Sequence, residues 1–250
     1  MSALFISDLH LSPDRPALTR LVTDFLLNQP PLESLYILGD IFNTWLGDDL
    51  VLPEYQPFLD ALKQLGHRGT KLYFMVGNRD FMLGKDFAAS VGAELLPDPV
   101  VHYFDEVPVL LMHGDSLCTD DVSYQRYRKV VRNSFLQWFF LRLPLRFRQH
   151  ISDQIKAKSK VKKRGKTIAI MDVNQQAVEQ VMSAHEVSIM IHGHTHRPAI
   201  HDLQVNDQNA HRIVLGDWHT SPSFLMLSAG KFQLIDGRLD NGEQTFTAFA

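Results

Sequence analysis

Five short blocks of metal-ligating residue types are strung along the chain: Asp8-Leu9-His10, Gly39-Asp40, Gly77-Asn78-Arg79-Asp80, His113-Gly114-Asp115 and His192-Gly193-His194-Thr195-His196. They offer carboxylate, imidazole and amide oxygen without thiolate, a donor set suited to Mn²⁺ and compatible with Fe, Zn or Co. Asp8, His10, Asp40, Asn78, His113, His194 and His196 are seven candidate ligands. That is too many for one small ion but fits two ions sharing a bridging carboxylate. A pair of ions about 3.5 to 4 Å apart lowers the pKa of a water and neutralises a phosphoryl oxygen in an in-line displacement. The chemistry indicated is hydrolysis of a phosphate ester or anhydride. Taken singly, Gly-Asp and Asn78 are ordinary turn residues; three imidazoles in five residues serve little packing purpose, and the blocks together carry the reading. Arg79 is placed either to hold a phosphate oxygen in its planar fork or to form a surface ion pair. Asp80 and Asp115 read equally as carboxylates that orient ligand histidines and as turn residues.

Residues so far apart in sequence meet only if regular elements bring them together. Each block follows a candidate strand, at 3–7, 35–38, 71–76, 109–112 and 187–191. Helices are predicted between the first four, at 16–28, 54–64 and 80–91, which is the pattern of a layered α/β fold. Side chains at the carboxyl ends of neighbouring strands in such a sheet converge on one crevice. Residues i and i+2 of an extended stretch point the same way, so Asp8 pairs with His10, and His194 with His196. After His196 short strands are expected at 199–205, 212–215, 224–227 and 231–235, and the polar tail beyond Asp236 is expected to fray.

The composition is that of a globular protein, with 250 residues, 45% of them apolar and 21% charged. The single cysteine, Cys118, excludes an intrachain disulfide and a Cys-rich metal site. No run approaches the roughly 18 apolar residues of a spanning helix, and no export signal is visible, so a cytoplasmic protein is expected. The net charge of −3 hides two opposite parts. From Arg126 to Lys166 fourteen Lys or Arg stand against Asp153 alone, a net +13, leaving −16 for the remainder. This asymmetry suggests an acidic body that holds cations and a basic segment facing an anion. The basic segment reads as helical, over 124–138 and, after Pro144, over 151–163. We expect one domain, 1–250, with a helical cap inserted at 121–166.

The ordered blocks resemble those that define the calcineurin-like metallophosphoesterase superfamily. The resemblance implies a two-sheet α/β sandwich flanked by helices. It implies one ion held by Asp8, His10, Asp40 and His196 and a second by Asp40, Asn78, His113 and His194, with Asp40 as the bridge. A closer resemblance, over roughly residues 1 to 235, is to the UDP-2,3-diacylglucosamine hydrolase family of lipid A biosynthesis. It rests on LFISDLHL, LYILGDIFNTWLGDD, GNRDF, MHGDSLCTDDVSYQRYR, AIMDVN and IHGHTHRPA. It implies two Mn²⁺ per chain and a diacylated UDP-sugar as substrate. Water attacks the α-phosphorus, yielding UMP and 2,3-diacylglucosamine 1-phosphate, with His10, Asn78, Arg79 and His194 as catalytic residues. The substrate contacts it implies are Asn78, Arg79, Asp121, Ser159, Lys163, Lys166 and His194; at Lys163 the family commonly has Asn. Departures from its pattern at Asn43 and Thr44-Trp45 touch none of the ligands so assigned.

The cap interleaves Phe135, Leu136, Trp138, Phe139, Phe140, Leu141, Leu143, Leu145 and Phe147 with Arg142, Arg146 and Arg148. At helical spacing these apolar residues cover every face, more than one amphipathic stripe. They read either as the packing of a small helical subdomain with a solvated basic face, or as an acyl-chain pocket on a peripheral enzyme. In the second reading the enzyme sits on the cytoplasmic face of the inner membrane, where each lysine near anionic lipid contributes about 1 kcal/mol. A nucleic-acid phosphodiesterase is the enzymatic alternative, disfavoured by the apolar density. A non-catalytic membrane adaptor is the other, disfavoured by the full donor set. No nucleic-acid or protein partner is expected.

Overall fold

In the first strand every side chain from Ala3 to Ile6 is buried, which requires a layer on each face. The computed structural model describes residues 2–163 and 172–248. Its elements run β1 (Ser2–Ile6), α1 (Pro16–Leu27), β2 (Ser34–Leu38), α2 (Gln56–His67), β3 (Lys71–Met75), α3 (Lys85–Ser90), β4 (Ala93–Leu95), β5 (Val100–Phe104) and β6 (Val107–Met112). Three helices follow, α4 (Val122–Val131), α5 (Ser134–Leu141) and α6 (Leu145–Lys163), then α7 (Gln175–Ala184) and β7 (Ile189–His192). The chain closes with β8 (Ala199–Val205), β9 (Gln208–Val214), β10 (Phe224–Ser228), β11 (Lys231–Ile235) and β12 (Glu243–Thr247).

The strands form two sheets, a seven-stranded one in the order β12-β11-β10-β1-β2-β3-β4 and a five-stranded one in the order β5-β6-β7-β9-β8. Alternation assigns each strand residue to a layer. Ala3, Phe5, Tyr36 and Leu38 of the larger sheet meet Val109, Leu111, Ile189 and Ile191 of the smaller one in the central core. Leu4, Ile6, Leu35 and Ile37 face the other way, onto Leu18 and Val22 of α1 and Phe58 and Leu62 of α2. On the opposite outer face Leu110, Met112 and Met190 pack on Val178 and Met182 of α7. Each large side chain buried this way contributes about 1.5–3 kcal/mol. The result is the expected helix-flanked two-sheet sandwich. β1 to β4 run parallel, as do β6, β7 and β9, so their carboxyl ends form one edge in each sheet.

Several boundaries differ from expectation, each for a local reason. The helix expected over 80–91 shrinks to α3, because the Asp80 carboxylate instead accepts backbone N–H groups from Gly77, Ile41 and Phe42. The helix expected over 124–138 is two, with Asn133 between them accepting from Leu136 N as the cap of α5. The next helix starts directly after Pro144 rather than at 151, Pro being well suited to a helix start. The tail does not fray over its described length. β12 pairs with β11, and Phe246 stacks on Phe232 at 5.0 Å. Strands β4 and β5 were not expected, and β9 is longer than the run at 212–215 that marked it.

Candidate metal centre

All five blocks leave strands at the aligned edges. Asp8, Asp40 and Asn78 follow β1, β2 and β3 of the larger sheet; His113 and His194 follow β6 and β7 of the smaller one. The loops are laced by backbone bonds, Asp8 N to Gly39 O (3.1 Å), His10 N to Asp40 O (2.9 Å) and Gly193 N to His113 O (2.9 Å). Asp8, His10, Asp40, His194 and His196 all have φ between 48° and 68°. Left-handed backbone costs energy at non-glycine residues and gathers at functional sites, where packing enforces it. Two glycines make room. A Cβ on Gly39, at φ +91°, would stand 2.5 Å from His113 Nδ1, and one on Gly77 would stand 2.1 Å from Asp40 Oδ1.

The side chains converge in two groups around Asp40. Asp40 Oδ2 lies 3.8 Å from His10 Nδ1, and its Oδ1 lies 3.8 Å from His113 Nε2. On the first side His196 Nε2 is 3.1 Å from His10 Nε2 and 3.2 Å from Asp8 Oδ1. On the second, Asn78 Oδ1 is 3.1 Å from His113 Nε2 and 2.7 Å from His194 Nδ1. Donor atoms of Asp8, His10 and His196, and likewise of Asp8, Asp40 and His113, all lie within 4.8 Å of one another.

The donor set fits divalent cations. His10 Nδ1 is buried with no hydrogen-bond partner, and two imidazole nitrogens face each other beside a carboxylate. His113 Nδ1 donates to Leu38 O at 2.9 Å, which turns its Nε2 toward the centre. The protein's own charges are poorly balanced here. Burial pushes Asp40 up to about 7, with His113 opposing the shift and Asp80 and Asp8 adding to it. Burial also drives His10 and His194 down to about 3, whereas, against burial, Asp40 and Asp8 raise His113 to about 9 and Asp217 and Asp8 raise His196 to about 10.

Arg79, half-buried, points its Nε at Asp40 Oδ2 across 3.6 Å, and its backbone N donates to Asp40 Oδ1 at 2.8 Å. Its guanidinium also donates to Asn43 Oδ1, so the departure at Asn43 touches the proposed phosphate-holding arginine although it touches no metal ligand. His192 stands apart from the centre, with Nε2 facing Arg212. Asp80 braces the loops around Asp40 and Gly77 rather than a histidine. Asp115 is bound by the Tyr124 hydroxyl (2.6 Å) and Arg128 (2.9 Å), a link to α4. Asp121 caps α4, accepting from Tyr124 N, and Ser159 is exposed on α6. The Lys163 side chain and Lys166 lie outside the described residues. Asp217 was missed: its Oδ2 lies 3.1 Å from His196 Nδ1. The signal was present, since Leu215-Gly216-Asp217 repeats the strand-Gly-Asp form of Leu38-Gly39-Asp40.

The family model for calcineurin-like phosphoesterases matches residues 1–198. The chain belongs to that family. Among the proteins it is similar to is the UDP-2,3-diacylglucosamine hydrolase of Serratia proteamaculans, 47% identical over 94% of this chain and 98% of its own length. That of Histophilus somni is 49% identical over 92% of this chain and 98% of its own. That of Escherichia coli is 47% identical over 94% and 98%. The chain therefore spans nearly the whole length of these relatives, and its residues Asp8 to His196 all fall within the phosphoesterase match.

Proposed function

We propose that the chain hydrolyses the pyrophosphate bond of UDP-2,3-diacylglucosamine. Water attacks the α-phosphorus and the bond to the bridging oxygen breaks, giving UMP and 2,3-diacylglucosamine 1-phosphate (lipid X) in lipid A biosynthesis. The observation that carries this reading is the placement of two donor groups on either side of Asp40, with Arg79 beside them. One ion would be held by Asp8, His10, Asp40 and His196, the other by Asp40, Asn78, His113 and His194, with Mn²⁺ the metal the donor set favours. Bound there, the ions supply an activated water and charge neutralisation at the phosphoryl group.

The chain's own groups do the rest. Arg79 holds a phosphate oxygen with a guanidinium steered by Asp40 and Asn43. Asn78 turns its Oδ1 toward His113 and His194, which leaves its NH₂ to donate to the phosphate. His10 and His194 complete the catalytic set. We assign the segment 121–166 as a cap on the site, with Asp121, Ser159, Lys163 and Lys166 as its substrate contacts; Lys166 and the Lys163 side chain lie outside the described residues.

The cap also supports the lipid reading. Phe135, Trp138 and Phe139 of α5 and Phe147 of α6 are 67%, 50%, 55% and 49% exposed, a large apolar surface. Arg142 lies over the Trp138 ring, 3.5 Å from its centroid, a pairing suited to an interface between water and lipid. Among the described residues no helix is long and apolar enough to cross a membrane. We place the protein peripherally at the cytoplasmic face of the inner membrane. The deciding experiment incubates purified protein and Mn²⁺ with the diacylated UDP-sugar in ¹⁸O-water. Label in UMP supports attack at the α-phosphorus, and label in the sugar phosphate refutes it. Cleavage of oligonucleotides with the lipid untouched would establish the nucleic-acid phosphodiesterase instead.

A further inference from the structure

The matched family span ends at residue 198, yet the chain returns to the metal centre afterwards. β9 lies parallel to β7, so the residues that leave it emerge at the edge occupied by His194 and His196. Leu215 N donates to His192 O at 2.7 Å, and Trp218 N reaches Asp8 O at 3.4 Å. Between them Asp217 turns a buried carboxylate toward His196. Its Oδ2 accepts from His196 Nδ1 at 3.1 Å and also faces His219 Nε2 at 2.7 Å; its Oδ1 accepts from Arg238 Nη1 at 2.6 Å.

Arg238 is itself held. It donates to both oxygens of Asp236, at 2.8 and 2.6 Å, to Asp217 O at 3.1 Å and to His196 O at 3.3 Å. Gly216 lets it approach, since a Cβ there would stand 2.2 Å from Arg238 Nη2. The series Asp236, Arg238, Asp217, His196 thus ends on an imidazole whose other nitrogen is aimed at Asp8 Oδ1.

We infer that Asp217, clamped by Arg238, is a positioning residue for His196: it fixes the tautomer with the proton on Nδ1 and the ring angle that directs the Nε2 lone pair at one of the two cations. This rests on the metal reading proposed above. A carboxylate behind a ligand histidine raises its basicity and orients it, and losing such a partner typically weakens metal affinity by about 10- to 100-fold. Asp217 and Arg238, from the turns after β9 and β11, thus back a ligand set that begins at residue 8.

The test measures Mn²⁺ binding by the free-ion spin resonance signal, alone and against a competing chelator. Unfolding of the metal-free chain in urea is followed alongside. For Asp217→Asn we expect one of the two ions to bind about 10- to 100-fold more weakly while the second changes little. Arg238→Gln, which keeps the carboxylate but removes its clamp, should weaken the same ion by several-fold, and Asp217→Glu should restore part of the loss. Wild-type affinity for both ions in Asp217→Asn overturns the inference. So does an equal loss at both ions that tracks lowered metal-free stability, since that marks a merely structural role. A wild-type chain that binds fewer than two ions overturns the metal reading itself and the inference with it.

Discussion

The guanidinium of Arg132, on the turn after α4, donates to the carbonyl of Gly77 at 3.1 Å, one peptide before Asn78. It also reaches Val76 O at 3.3 Å and lies 3.9 Å from both Asp98 and Asp115. The basic helices are therefore tied directly to a loop that carries a candidate ligand. Replacing Arg132 by Met strips donors from two carbonyls beside that loop, a cost of about 1–3 kcal/mol. We expect kcat/KM to fall by about 10-fold or more with the helix content unchanged, as circular dichroism of the variant can check.

Asn78→Ala and His113→Ala each remove a donor from the second group around Asp40. Each should lose at least about 2 kcal/mol of transition-state stabilisation, read as a fall in kcat/KM. Near-normal turnover in either would remove that residue from the catalytic metal centre.

Arg148 is 3% exposed, donates to Leu46 O at 2.6 Å and pairs with Asp49, which fastens α6 to the loop after β2. Arg148→Ala leaves that carbonyl without its donor and should destabilise the chain by about 1–3 kcal/mol. Hydrogen exchange should show protection lost first in α5 and α6, while α1 and α2 keep theirs.

Phe135, Trp138 and Phe139 of α5 are each at least half exposed, so serine at all three should leave the melting temperature almost unchanged. The same triple variant should lose most of its co-sedimentation with vesicles containing anionic lipid. Undiminished sedimentation would remove the support for lipid contact through this helix.

Burial holds His192 down to about 3 and also lowers His102, whose Nε2 meets the Tyr36 hydroxyl at 2.9 Å. In the unfolded chain both take up protons near 6.5. The unfolded state therefore binds more protons once pH drops below that value. Their stabilisation is complete above about 6.5 and declines as pH falls toward the folded values, by at most about 1.4 kcal/mol per pH unit for each group. Urea unfolding of the metal-free chain between pH 7 and 4.5 should show this slope, reduced in His102→Gln.

The ligand blocks were legible because coordination chemistry demands particular residue types, and Asp8, Asp40 and His113 each sit at, or one residue past, the end of an apolar run that only a buried strand explains. Asp217 was not legible as part of the site. Leu215-Gly216-Asp217 has the right local form, but its place depends on β9 lying beside β7, a pairing of 211–214 with 189–192 that this form does not itself announce. The positive segment was only half legible. Its charge count suggested an outward-facing surface, whereas Arg128, Arg132 and Arg148 turn inward to Asp115, the Gly77 carbonyl and Leu46. The shortened α3 and the paired tail have the same origin. Asp80 finds backbone donors on a different loop, and β12 finds an open sheet edge beside β11, both being tertiary opportunities that override local propensity.

Because the larger sheet supplies Asp8, Asp40 and Asn78 and the smaller one His113 and His194, the donors straddle the seam between the two layers. Cations seated there would act as rivets through that seam. Slippage of one layer against the other would pull the rivet holes apart, so ion release and loosening of the sandwich would form a single linked equilibrium.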